Sequence, residues 1–219
     1  KAYLYFENEE YYNELKASVL DNLNKFSITD KHFLFARLSG YCILKKEYLP
    51  PSDMRYDGEL FEIYKKMITD KYYQTESSKY MPVDMYRNII IQAVKMKELR
   101  WLEEFIEEYG NQIHPRRKTD IINYSYAYLR FEQGNFDEAL KWLSQIRVEE
   151  FSYHLDIRSL YIMTYYELGD LETAYSAANA FSKYLKGNKM VSEEKRTGSD
   201  NLCKYIIKLI NYNNTNSKT

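Results

Sequence analysis

Three histidines, two cysteines and scattered carboxylates are the groups in this 219-residue sequence able to hold a metal, attack an electrophile or relay a proton. His32, His114 and His154 lie far apart, and none has a second ligand-type residue of the right kind four positions on. No H-E-x-x-H, C-x-x-C or G-x-S-x-G pattern occurs. Seven scattered glycines build no phosphate-cradling loop. His114 precedes Pro115 and reads as a helix-terminus residue, and His154 with Asp156 reads as a first helical turn. These readings predict no catalytic residue, no metal and no cofactor. An enzyme would require the distant histidines to converge with Tyr and Glu in one cleft, which makes it the weaker alternative.

Charge narrows the partners. Thirty-one basic residues face 32 acidic ones, for a net charge of -1. The densest basic patch is Arg116-Arg117-Lys118, with Lys183, Lys186, Lys189, Lys195 and Arg196 elsewhere. A balanced total argues against a nucleic-acid partner, which would need basic residues and aromatics on one face. Glu103-Glu104 and Glu107-Glu108 fit the solvated side of an amphipathic helix. Cys42 and Cys203 are too few for a disulfide scaffold or a cysteine-rich zinc module, and both sit in apolar helical patterns that predict reduced, buried thiols. No apolar run approaches the roughly 20 residues of a membrane span. The first residue is Lys and no secretory leader is visible, so the expectation is a fragment or processed form of a larger cytoplasmic protein.

The elements that would position any site are helices. Residues 136–146, 157–168 and 171–185 each carry apolar side chains at i, i+3, i+4 and i+7, which gives one greasy face per helix. No strict alternation between turn signals argues for a strand. The fold class is all-α, with helices expected near 8–26, 30–47, 58–73, 83–97, 99–110, 117–133, 136–147, 153–168, 171–186 and 199–213. Gly134 and Gly169 suit the left-handed position that ends a helix. Asn135 and Asp170 suit the N-cap that starts the next, and Glu138 stands at capping-box distance from Asn135. Residues 49–53 read as the longest irregular stretch, and 213–219 as a polar disordered tail. Tyrosine is the outlier, with 24 copies against 7 Gly and 4 Pro. The excess predicts long regular elements whose half-buried faces are filled with rings, or an aromatic binding groove.

A repeat organises these helices. Gly134-Asn135-Phe136-Asp137-Glu138-Ala139 recurs 35 residues later as Gly169-Asp170-Leu171-Glu172-Thr173-Ala174, and Lys97-Glu98-Leu99-Arg100-Trp101-Leu102 is a degenerate upstream copy. A two-helix unit of this length cannot cover its own apolar face and stacks on its neighbour. With Ala127 and Tyr165 in the preceding helices, residues 120–187 resemble tetratricopeptide repeats, and 83–119 do so more weakly. The family's early Trp and Leu are replaced by Asn123 and Tyr126, then by Arg158 and Tyr161, and its closing Pro by Phe151. Residues 153–158, 165–168 and 184–189 also resemble the C-terminal end of long, uncharacterised bacterial helical-repeat proteins.

The resemblance implies a right-handed α-solenoid of about five helix hairpins. It spans 1–212 as one domain, with irregular helix pairs over 1–82, repeats over 83–187 and a capping helix over 188–212. It also implies a concave face lined by the first helix of each pair. That face would hold Arg87 and Asn88, then Tyr124, Tyr128 and Phe131, then Tyr166, where an extended or helical peptide stacks on the rings and pairs with the guanidinium. The expected function is a non-catalytic protein- or peptide-binding scaffold. The alternatives are a peptide- or ligand-sensing regulatory domain, in which a ligand shifts the helix pairs, and a purely structural spacer. The competing role for the tyrosines is packing between neighbouring helices.

Overall fold

The apolar stripes become ten α-helices among the residues described by the computed structural model, which are 8–50, 52–147, 151–189 and 191–216, without the side chains at 151, 152, 194 and 214–216. In chain order they are α1 (Glu9–Asp21), α2 (Ile28–Glu47), α3 (Arg55–Thr69), α4 (Val83–Lys95), α5 (Leu99–Tyr109), α6 (Pro115–Glu132), α7 (Phe136–Leu143), α8 (Phe151–Glu167), α9 (Leu171–Gly187) and α10 (Glu193–Asn216). Among the described residues there is no strand, only an isolated bridge between Thr75 and Ser78. None of these helices is long and apolar enough to cross a membrane.

Local chemistry sets the ends. Gly134 and Gly169 both take φ of +77°, the left-handed conformation that a Cβ resists. Asp170 caps α9 by accepting from the Thr173 amide at 3.2 Å. The expected box at Asn135 does not form: Asn135 makes no side-chain cap, and Glu138 reaches back to Arg130 instead, at 3.3 Å. A complete capping box stands where the sequence reading had none. Ser27 Oγ accepts from the Asp30 amide, and the Asp30 carboxylate accepts from the Ser27 amide, both at 3.1 Å. This starts α2 at Ile28 and separates it from α1, whose expected run to 26 breaks at Asp21 into a short 3-10 turn, Leu23–Lys25.

Two other expectations are corrected. Residues 70–82, between α3 and α4, outrun 49–53 as the longest irregular stretch among the described residues. Their ends are tied down by the Met81 amide on the Gln112 carbonyl at 2.8 Å and by the Tyr73 hydroxyl on Gln112 Oε1 at 3.2 Å. Helix α10 starts at Glu193 and runs to Asn216, through most of the expected tail; 217–219 lie outside the described residues.

The chain forms two compact units, 1–118 and 119–219. In the first, consecutive helices pack pairwise from α1 to α5. The core joins Phe35, Leu38 and Tyr41 of α2 to Leu60, Phe61 and Tyr64 of α3, and Ile89, Ile90 and Ala93 of α4 to Leu102 and Phe105 of α5. A buried ionic node lies among them. Asp57 of α3 is 1% exposed; Lys46 of α2 pairs with its Oδ1, Lys95 of α4 lies 2.8 Å from its Oδ2, and Gln92 of α4 donates to its carbonyl at 2.9 Å. Burial alone would raise the Asp57 pKa. The donors from Lys46, Lys95 and Gln92 outweigh it and hold the carboxyl below the ordinary aspartate range.

In the second unit the core lies in two buried clusters. Ala127 of α6, Leu143 of α7 and Leu160 of α8 form one buried cluster. Ile162 of α8, Ala174, Ala178, Phe181 and Leu185 of α9, and Cys203, Ile206 and Ile210 of α10 form another. Each fully buried Leu or Phe here contributes about 1.5–3 kcal/mol, so the helices depend on one another for their apolar cover.

Candidate functional site

The six residues expected on a concave face divide between the two units. In the first, Arg87 and Asn88 of α4 are half-buried. Arg87 Nη1 donates to Asn88 Oδ1 at 3.3 Å. Asn88 also bonds the Tyr64 hydroxyl, whose pKa burial pushes up to about 12 while that bond pulls it down. This pair therefore ties α4 to α3 as well as edging a surface.

In the second unit the tyrosines separate by depth. Tyr124 is 0% exposed. Its hydroxyl donates to Asp156 Oδ2 at 2.9 Å, and its ring meets Tyr153 edge-on at 4.7 Å, so it joins α6 to α8 and offers no surface to a partner. Tyr128 and Phe131 are half-buried against the Ala127–Leu143–Leu160 cluster, and Tyr166 against the Phe181 cluster. Each keeps part of its ring at the surface. Among the described residues nine tyrosines, including Tyr73, Tyr86 and Tyr153, are buried in the core, so packing accounts for much of the excess.

The groups capable of chemistry are placed separately. His32 Nδ1 lies 3.0 Å from the Tyr72 carbonyl. His114 is exposed and edge-on to Tyr80 at 4.9 Å, and its Nδ1 accepts from the Arg116 amide. His154 is half-buried on α8 in the other unit. Among the described residues no group of three His, Cys, Asp or Glu side chains has metal-binding geometry. Cys42 and Cys203 are free and buried, and burial pushes both thiols up to about 11.

Two surface features escaped the sequence reading. A cleft of about 440 Å³ opens in the first unit over Phe35, Leu38 and Ile63. Its rim consists of ion pairs: Lys16 with Glu59 at 2.6 Å, Lys65 with Glu62, and Lys66 with Asp70 at 2.8 Å. Behind it the Tyr12 hydroxyl donates to Glu59 Oε1 at 2.7 Å and stands 3.5 Å from the Cys42 sulfur. Burial first, then these neighbours, push the Tyr12 pKa far above the usual tyrosine value. The spacing of these residues along the chain, from 12 to 70, gives no local signal of a shared cleft.

The second feature is on α10. Tyr205, Leu209 and Tyr212 are 65%, 45% and 68% exposed, on a stripe of the helix beside the buried Cys203, Ile206 and Ile210. A helix that only sealed the end of a stack would carry a polar outer face. On α10 the exposed face mixes Asn201, Lys204 and Lys208 with Tyr205, Leu209 and Tyr212. No family model, curated protein or solved structure matches this chain.

Proposed function

We propose that the chain is a tetratricopeptide-like helical scaffold without catalytic activity, which binds a protein or peptide along the first helices of its repeats. What supports the reading is one packing relationship: the hairpins α6/α7 and α8/α9 bury Ala127, Leu143 and Leu160 in one cluster. Neighbours built that way present successive first helices side by side, and Tyr128 and Phe131 of α6 and Tyr166 of α8 keep ring edges at the surface. Such edges bind by stacking and shape over an extended area. Tyr124, closed inside the stack, serves to set the spacing of those helices.

The test is photo-crosslinking from the full chain with a benzophenone amino acid at position 128 or 166, followed by identification of the linked peptides. Discrete peptides captured at both positions, and competed away by the wild-type chain but not by a Tyr128→Ala, Tyr166→Ala variant, support the scaffold. Only solvent adducts at both positions overturn it.

A further inference from the structure

Helix α10 has two apolar seams. Cys203, Ile206 and Ile210 face its own core. Leu202, Tyr205, Leu209 and Tyr212 follow each other at intervals of three, four and three residues, the a/d spacing of a helix-pairing seam. Leu202 is half-buried at the edge of the core, and the other three stand in solvent. The second seam therefore grows out of a packed interface and continues away from it. Its length, about 15 Å at 1.5 Å per residue, matches roughly three turns of a partner helix.

Charge decides which helix fits. Between Asn201 and Asn216 there is no Asp or Glu, and the two charged residues are Lys204 and Lys208. Lys204 is paired with Asp200 at 2.7 Å. Lys208 rests its ammonium 6.0 Å from the Tyr205 ring centre and has no carboxylate partner among the described residues. Two copies of α10 packed seam to seam, parallel or antiparallel, would bring the two Lys208 side chains toward one another, with Asp200 already held by Lys204. A membrane surface would call for a wider apolar face and more cations than one free lysine. We propose that the outer seam of α10 is a docking site for an amphipathic helix of a partner protein, with apolar residues at a/d spacing and Asp or Glu flanking them. Leu209 and the two tyrosine rings fill the partner's seam, and Lys208 pairs with its flanking acid. Its residues are other than the tyrosine edges of α6 and α8.

The experiment uses the full chain and a synthetic helical peptide of about three heptads, with Leu at a and d and Glu at e and g. Repulsion between the Glu rows keeps the peptide from pairing with itself. A second peptide has Lys in place of every Glu. Fluorescence anisotropy is expected to show the Glu peptide binding about tenfold or more tightly than the Lys peptide, with the difference shrinking at high salt. Leu209→Asp should abolish binding, and Lys208→Glu should reverse the preference between peptides. Both positions are solvent-facing, and circular dichroism confirms that the variants stay folded. The proposal is overturned if neither peptide binds up to about 1 mM, or if the two bind equally. It is also overturned if the chain elutes as a dimer that Leu209→Asp dissociates. Sedimentation with phosphatidylcholine vesicles containing roughly one quarter phosphatidylserine, lost in Leu209→Asp, would assign the seam to a membrane and overturn it too.

Discussion

The Tyr124 hydroxyl donates to the Asp156 carboxylate at 2.9 Å, from α6 to α8. A residue whose type and position suit a binding groove is thereby a bracket between two helices. Its ring is fully buried and its oxygen satisfied, so both halves of the side chain contribute to the stack. Tyr124→Phe is expected to cost about 1.5–3 kcal/mol, the worth of a hydrogen bond to a charged acceptor. Tyr124→Ala is expected to cost about 3–5 kcal/mol, because the cavity adds to the lost bond. Urea midpoints measure both. A Tyr124→Phe protein as stable as wild type would show that the hydroxyl contributes nothing.

Why the sequence reads clearly in some places and not others follows from the range of the interactions. Gly134 and Gly169 announce themselves because a positive φ is a local demand, met within a few residues. The stripes of α7 and α9 are legible because one face is apolar and the other is not. On α10 the residues 203/206/210 and 202/205/209/212 form two adjacent stripes, and periodicity alone does not tell which one is core. The ionic node at Asp57 draws Lys46 from one helix and Gln92 and Lys95 from another, and the sequence offers no period that would join them. Asn135 shows the opposite failure: the local pattern for a box is present, but Arg130 on the preceding helix competes for Glu138 and prevails.

Asp57 predicts an acid-sensitive first unit. Its folded pKa lies below the ordinary value, so the unfolded chain takes up a proton first as pH falls. The stabilisation is complete above the unfolded aspartate pKa of about 3.9. It disappears as pH falls through the depressed folded value. Asp57→Asn leaves Lys46 facing a neutral amide in a buried site and is expected to cost about 3 kcal/mol at pH 7. The gap between wild type and variant should narrow steadily from pH 5 to pH 2 in urea titrations. A gap independent of pH would mean that folding leaves the Asp57 pKa at its unfolded value.

The glycines make opposite predictions from the same chemistry. At Gly134 an added Cβ meets nothing within 4 Å, so Gly134→Ala is charged only for the left-handed backbone, about 1 kcal/mol. Gly40 lies inside α2, also with nothing within 4 Å, and its φ is not positive. There alanine restrains the unfolded chain and favours the helix, so Gly40→Ala is expected to stabilise by about 0.5–1 kcal/mol. Paired thermal melts, one falling and one rising, check the backbone assignment at both positions. Two shifts of the same sign would contradict it.

The thiols report on opening of each unit separately. Cys42 lies in the first unit and Cys203 in the second, both at 0% exposure, and burial pushes both pKa values up to about 11. At pH 8 the thiolate fraction in the folded state is therefore on the order of 0.1%, against roughly a quarter for an unperturbed thiol. Neither sulfur is reachable without local or global opening, so modification by a disulfide reagent should follow the opening equilibrium. Single-cysteine variants Cys42→Ala and Cys203→Ala isolate the two rates. Tyr124→Phe should accelerate labelling of Cys203 and leave Cys42 unchanged if the units open independently, and Asp57→Asn should do the reverse. Equal acceleration of both sulfurs by either substitution would mean that the chain opens as one cooperative body, and the division at residue 118 would carry no energetic meaning.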